Sequence, residues 1–347
     1  MLGVFIRTTN LPDMDKKLIE FRKDLVSGDW VLVSSTLQKK PVFFDHVDSK
    51  PLPKSKCPFE NPQKASHGEV LLWLPKRGKN DFKNWWLQVL KNRYPVIETN
   101  KVCSPVYKKN IFEFTPGSGF QELVIMRDHG RHFGLMNKEE IELILEAYTI
   151  RYHALCLEPC VEYILILHNA GPRAGASVPH PHSQIFAIPI IPPDVSRSLV
   201  GAVNYFQKNR RCVHCDMLKW ETKKKERIIY QNDSFTALAP YASKVAYEVR
   251  IFPKKHEARF EMVDQEQKSD LAEAMRAVFS RIYKNLKNPD YNFFIHTAPP
   301  KESGKSHYHW HMEILPRVAV WGGLELGAGI EVVKISPEET AKLLRKS

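Results

Sequence analysis

The chain has 347 residues, 43% hydrophobic and 26% charged, enough for two ordinary soluble domains or one large one with a substantial core. No run approaches the roughly 20 apolar residues that span a bilayer, and no basic leader precedes an apolar stretch near Met1, so a cytoplasmic protein with no membrane span is expected. The net charge of +12 is scattered along the chain without a zinc finger or an aromatic platform, which favours small anions over nucleic acid as partners.

In chain order, Trp30–Ser34 and Glu122–Met126 predict strands. A pattern then begins at His129 and returns at His256: a histidine, a phenylalanine (Phe133, Phe260), an apolar residue (Met136, Val263) and a helix-capping residue recur at identical offsets. Asn137 with Glu140, and Asp264 with Gln267, have the spacing of a capping box. The helices that follow carry one apolar stripe each, Ile141, Leu145, Tyr148, Tyr152, Leu155 and Leu271, Met275, Val278, Ile282, Leu286. Each leads to a β-rich run, Tyr163–His168 or Tyr291–His296, then to a loop and alternating histidines, His180-Pro-His182-Ser-Gln184 or His307-Tyr-His309-Trp-His311. Phe235–Ala239 and Tyr247–Phe252 add strands. The duplication predicts an α+β fold of two tandem repeats, residues 1–195 and 196–347, joined through the polar, proline-containing stretch 192–211. The tail Gly322-Gly-Leu-Glu325-Leu-Gly-Ala-Gly329 reads equally as a glycine-rich binding loop or as surface turns.

The segment from His168 to Gln184 holds the chemistry. Small residues between Asn169 and Ser177 let backbone amides approach an anion, and on a strand His180, His182 and Gln184 point to one face. A neutral imidazole is a nucleophile near pH 7, so attack on an α-phosphorus would expel a sugar phosphate while Gln184 and the loop hold the phosphate oxygens. Six cysteines in a cytosolic chain do not suggest a disulfide framework, and Cys156 and Cys160 fall on a helical pattern as core residues. Cys212 and Cys215, with His256 and a histidine of the 307–311 cluster, form a set for a closed, structural zinc site. Counting along the repeat favours His307, since 51 positions separate His129 from His180 and also His256 from His307.

These residues resemble the galactose-1-phosphate uridylyltransferase family, a two-repeat branch of the histidine-triad superfamily, over nearly the whole chain. The resemblance rests on Trp30–Ser34, Cys57-Pro-Phe59, Asn92-Arg-Tyr-Pro95, Asn169-x-Gly171-x-x-x-Gly175-x-Ser177 and His180-Pro-His182-x-Gln184. The second half and the Gly322-Gly323-x-Glu325 tail are similar to plant-type members that act on ADP-glucose. The resemblance implies histidine-triad-like repeats, each an antiparallel sheet packed with helices, with His182 covalently nucleotidylated and Gln184 as its phosphate partner. It also implies Asn169, Gly175 and Ser177 at the phosphates, Asn92 near the nucleoside, and Gly322, Gly323 and Glu325 at the acceptor. Substrates would be a nucleotide sugar and a sugar phosphate, and the protein would be a homodimer. His309 is the implied late zinc ligand, with His307 in reserve. A first-half zinc site would use Cys57, His129, His180 and position 60, where Glu60 replaces the family's usual cysteine and softens the donor set less. The family's nucleoside-binding stretch has two arginines before a proline; here Leu37 and Lys40 stand in their places before Pro41. Uridylyl transfer to hexose 1-phosphate is the first expectation, and adenylyl transfer from ADP-glucose to phosphate, or hydrolysis, is the second. A non-catalytic nucleotide-binding relative is the third, and the intact His180-Pro-His182-Ser-Gln184 counts against it.

Overall fold

The computed structural model describes residues 19–35, 52–65, 69–76, 81–99, 103, 105–301 and 307–346; Leu37 and Lys40 lie outside them. Its strands are β1 (Ile19–Lys23), β2 (Trp30–Ser34), β3 (Val70–Pro75), β4 (Trp85–Lys91), β5 (Tyr107–Lys109), β6 (Phe112–Phe114), β7 (Phe120–Met126), β8 (Tyr163–Ala170) and β9 (His182–Ile188). They continue with β10 (Ile228–Gln231), β11 (Phe235–Leu238), β12 (Val249–Pro253), β13 (Tyr291–His296), β14 (His311–Pro316) and β15 (Val332–Val333). The helices are α1 (Lys138–Cys156), α2 (Pro193–Asn209), α3 (Val213–Lys224), α4 (Gln265–Asn285), α5 (Gly323–Ala328) and α6 (Pro337–Leu344). None of the described helices is long and apolar enough to cross a membrane.

The fold is α+β. Ten strands form one sheet in the order β10-β11-β12-β14-β13-β8-β9-β7-β4-β3, antiparallel throughout. Strand periodicity decides which side is core. Ile164 and Ile166 of β8, Ile185 and Ala187 of β9, and Phe293 and Ile295 of β13 are buried in one cluster with the stripes of α1 and α4. Ile141, Leu145, Tyr148 and Tyr152 of α1 and Leu271, Met275 and Val278 of α4 are wholly buried. At about 1.5–3 kcal/mol for each large apolar side chain, this shared layer is what holds the two helices on the sheet. Both predicted capping boxes form: Asn137 Oδ1 accepts from Glu140 N–H at 2.9 Å, and Asp264 Oδ1 from Gln267 N–H at 2.8 Å. Phe133 and Phe260 each sit fully buried in a short 3-10 turn just before a capped helix.

The stretch 192–211, expected as the junction between the halves, is mostly α2: Pro193 starts the helix, and Val195, Leu199 and Ala202 turn one narrow buried face inward. That face packs on Val26, Tyr163 and Tyr308, and a Cβ on Gly201 would stand 1.7 Å from the Val26 carbonyl oxygen, so the close approach needs glycine. Cys160 is not a helix-core residue, because α1 ends at Cys156 and Cys160 pairs with Cys103 in a disulfide. The tail is a short helix, α5, in which Glu325 Oε2 accepts from Gly322 N–H at 2.9 Å and Gly329 closes the end at φ 63°. The alternating histidines also begin their strands later than their spacing suggests, β9 at His182 and β14 at His311.

Candidate active site and metal centres

His182 opens β9 on the sheet face opposite α1 and α4, opposite Ile125 across the strand pair, with Gln184 opposite Leu123. Its Nδ1–H donates to the His180 carbonyl oxygen at 2.9 Å, which leaves Nε2 as the nitrogen with the free lone pair. Burial lowers its basicity below the ordinary histidine value, so the ring is neutral at pH 7. Phe59 packs against it, with ring centroids 4.9 Å apart. Ring and amide line a cavity of about 460 Å³ with Phe59, Asn92, Tyr94, Gln121 and Ser177. Neither Gln121 nor any role for it was visible in the sequence. Its side chain donates to Gln184 Oε1 at 2.8 Å.

The loop between β8 and β9 begins at Gly171 and Gly175, both at positive φ, on either side of a 3-10 turn, Pro172–Ala174. Asn169 does not line the His182 cavity: its Oδ1 accepts from Asn292 Nδ2, which also donates to the Ala174 carbonyl, each at 2.8 Å. Asn169 thereby ties the loop to β13. Gly175 and Glu325 line a separate cavity of about 1040 Å³ on the same sheet face, with Arg173, Lys244, Arg250, His311 and Glu313 among its walls. Within one chain, then, His182, Gln184, Asn92 and Ser177 come together, whereas Gly175 and the Gly322, Gly323 and Glu325 tail line other walls. In the second half an acid, Glu313, stands two residues after His311, where the amide stands after His182. Burial works against its charge, but Arg250 Nε at 3.0 Å outweighs that and holds the carboxyl well below its usual range. An anionic group there repels phosphate, so the His311 ring is a poor second centre for the same chemistry.

Both metal sets are assembled. Cys212, Cys215, His256 and His309 present their donor atoms within 4.8 Å of one another, with Cys215 Sγ 3.4 Å from His256 Nδ1 and 3.5 Å from His309 Nδ1. His309, and not His307, supplies the late histidine. In the first half, Cys57 Sγ lies 3.4 Å from His180 Nδ1, and His129 Nδ1 lies 3.2 Å from the same atom. Glu60 Oε1 completes the group, 2.9 Å from His129 Nδ1 and 3.8 Å from His180 Nδ1. The imidazole Nε2 atoms are engaged on the outside, by Leu52 O at 2.8 Å, Met126 O at 2.6 Å and, for His309, Pro253 O at 2.9 Å. Those outer bonds fix the tautomer that turns Nδ1 lone pairs inward, toward soft and anionic donors, which is the donor chemistry a divalent cation such as zinc requires.

An unprotonated imidazole, an amide and a glycine-bearing loop gathered on this sheet are the equipment of a nucleotidyltransferase, and the chain is an enzyme of that class. The C-terminal and N-terminal domains of galactose-1-phosphate uridyl transferase match residues 199–327 and 10–192 respectively. The ADP-glucose phosphorylase of Arabidopsis thaliana is 33% identical over 94% of this chain and 92% of its own length. A crystal structure of an Arabidopsis thaliana ADP-glucose phosphorylase with bound ADP-glucose superposes with TM-score 0.80 and 30% identity, covering 95% of this chain and 99% of that one. The galactose-1-phosphate uridylyltransferase of Thermotoga maritima is 28% identical over 95% of this chain and 99% of its own length. The chain belongs to the galactose-1-phosphate uridyl transferase family.

Proposed function

We propose that the enzyme transfers a nucleoside monophosphate from a nucleotide sugar to a phosphate-bearing acceptor through a covalent nucleotidyl-His182. The observation that carries this reading is the commitment of His182 Nδ1 to the His180 carbonyl, which leaves Nε2 free beside a cavity. In the first step Nε2 attacks the α-phosphorus; the P–N bond forms as the bond to the sugar phosphate oxygen breaks, and the sugar phosphate leaves. In the second, an acceptor phosphate oxygen displaces the ring, which returns neutral. Gln184, Ser177 and the loop through Gly175 hold the non-bridging oxygens, Asn92 meets the nucleoside, and Gly322, Gly323 and Glu325 serve the acceptor. The position of Glu325 outside the His182 cavity supports a homodimer in which a second subunit brings that tail to the site. Uridylyl transfer between UDP-glucose and hexose 1-phosphate is one form of the reaction. Adenylyl transfer from ADP-glucose to phosphate is the second, favoured by the higher identity to the Arabidopsis thaliana phosphorylase.

Zinc would be held by Cys212, Cys215, His256 and His309, and by Cys57, Glu60, His129 and His180, where it would supply a rigid structural clamp. The strand order, with β8 beside β13 at its centre, and the matched turns and caps before α1 and α4 support reading the fold as two histidine-triad-like repeats meeting near residue 195.

Incubating the protein with labelled UDP-glucose or ADP-glucose tests the reading. Acid-labile, base-stable label should appear on the chain with release of sugar phosphate, and the partner that discharges it, hexose 1-phosphate or phosphate, separates the two forms. His182→Gly should take no label and turn over at background while keeping its metal content; normal turnover by that variant would refute the mechanism.

A further inference from the structure

Gln121 of β7 is a buried polar side chain on a strand that is otherwise apolar from Leu123 to Met126. Both ends of its amide are engaged. Its Oε1 accepts from the Val96 backbone N–H at 2.9 Å, and its Nε2 donates to Gln184 Oε1 at 2.8 Å. The backbone of Gln121 takes part as well, since its carbonyl oxygen accepts from Asn92 N–H at 2.9 Å. A backbone N–H can only donate, so the atom of Gln121 facing Val96 must be the oxygen. The atom facing Gln184 is then the NH2 group, and Gln184 must answer with its own oxygen. The remaining end of Gln184, two N–H donors, is left for the cavity it shares with His182.

We propose that Gln121 is a positioning residue that sets the polarity of the Gln184 amide, so that donors and not a carbonyl oxygen meet the phosphate at His182. The inference rests on the transfer reading above. An unrestrained glutamine amide can present either end; its oxygen end would oppose the charge that builds on a transferring phosphoryl group, and its NH2 end neutralises it. The chain of orientation begins at the backbone of the 92–96 stretch, which also walls the cavity. A single residue thus couples the nucleoside wall to the phosphate amide.

The test uses single-turnover labelling of the full-length protein by the nucleotide sugar that labels the unaltered enzyme. Gln121→Met removes both side-chain bonds without adding charge. Gln121→Glu keeps an acceptor for Val96 but offers only acceptors to Gln184, which must then flip its NH2 group away from the phosphate. Labelling at saturation should slow on the order of 10-fold for the methionine variant and 100-fold for the glutamate variant. The half-saturating concentration should change little for Gln121→Glu, where the Val96 bond survives. In a Gln184→Ala background Gln121→Met should slow labelling at saturation no further, because the effect on the rate runs through Gln184. Equal losses in both backgrounds, or unimpaired labelling by Gln121→Glu, would overturn the inference while leaving the transfer reading intact. An unaltered enzyme that takes no label from any nucleotide sugar would remove both.

Discussion

His168 and His182 sit on opposite faces of the same sheet, and their surroundings divide them into an imidazole packed in the core and one that faces a cavity. His168 stacks on Phe293, ring centroids 5.2 Å apart, and its Nδ1 lies 3.0 Å from Ser183 Oγ, which also receives the Tyr148 hydroxyl at 2.5 Å. Burial, then the proximity of His182 and His132, push its basicity well below the ordinary value. A folded-state value below the unfolded one means that the neutral ring stabilises the fold above about pH 6.5, and that this contribution is lost as the pH falls below that point. His168→Gln keeps a partner for Ser183 but takes up no proton. Urea melts between about pH 6 and 4.5 should therefore show a stability loss shallower by roughly 1 kcal/mol per pH unit than in the unaltered chain. An unchanged slope would mean that His168 is not the group being protonated. His182 and Gln184 were legible in the sequence because spacing of two on a strand guarantees a common face. Gln121 was not, since two adjacent polar residues, Gln121 and Glu122, at the start of a short apolar strand leave no periodic trace. The choice of His309 over His307 needed the resemblance: counting along the repeat pointed to His307, and the donor atoms gather at His309.

At the scale of elements, α1 and α4 could be read in advance because a capping box, a stripe and a following strand all agree. The helix α2 offered only three buried apolar positions behind two prolines, and α5 is written largely in glycine, so local signals pointed to loop in both cases. The loop between β8 and β9 shows how a glycine can matter through contact as much as through φ. Gly171 (φ 83°, ψ 164°) and Gly175 (φ 82°, ψ 18°) both stand at positive φ, yet a Cβ on Gly171 would lie 2.0 Å from Asp290 Oδ1, and one on Gly175 would meet nothing within 4 Å. Asp290 Oδ2 accepts from Arg173 N–H at 2.7 Å, which anchors the turn at the loop's start. Gly175→Ala carries the left-handed penalty of roughly 1–2 kcal/mol, and Gly171→Ala costs at least as much on backbone grounds, because positive φ with extended ψ is essentially reserved for glycine. Gly171→Ala must also displace Asp290, so its thermal midpoint should fall further than that of Gly175→Ala and its labelling rate should drop with it. Equal midpoints for the two variants would show that the Asp290 contact is dispensable.

At the scale of the whole molecule the two halves share one ten-stranded sheet: β8 of the first half pairs with β13 of the second, and α1 packs on α4 over a common core. Each half also carries its own cluster of side chains that could hold a metal, and the two sets differ in chemistry. Cys212 and Cys215 offer two sulfurs beside two imidazoles, whereas Cys57 is alone with Glu60 in the place of a second sulfur. Zinc prefers thiolate to carboxylate when the other ligands are the same. The protein should therefore bind two equivalents of zinc per chain and surrender them in order under a graded chelator, the Cys57 set first. Glu60→Cys should bring the two release steps together, and Cys212→Ser should weaken the tighter one. Because His180 precedes His182 by two residues and its carbonyl holds Nδ1 of the proposed nucleophile, loss of the weaker zinc should slow labelling before it lowers the thermal midpoint. Release in the opposite order, or labelling that survives removal of both ions, would show that the first-half set neither binds as its donors suggest nor supports the ring beside it.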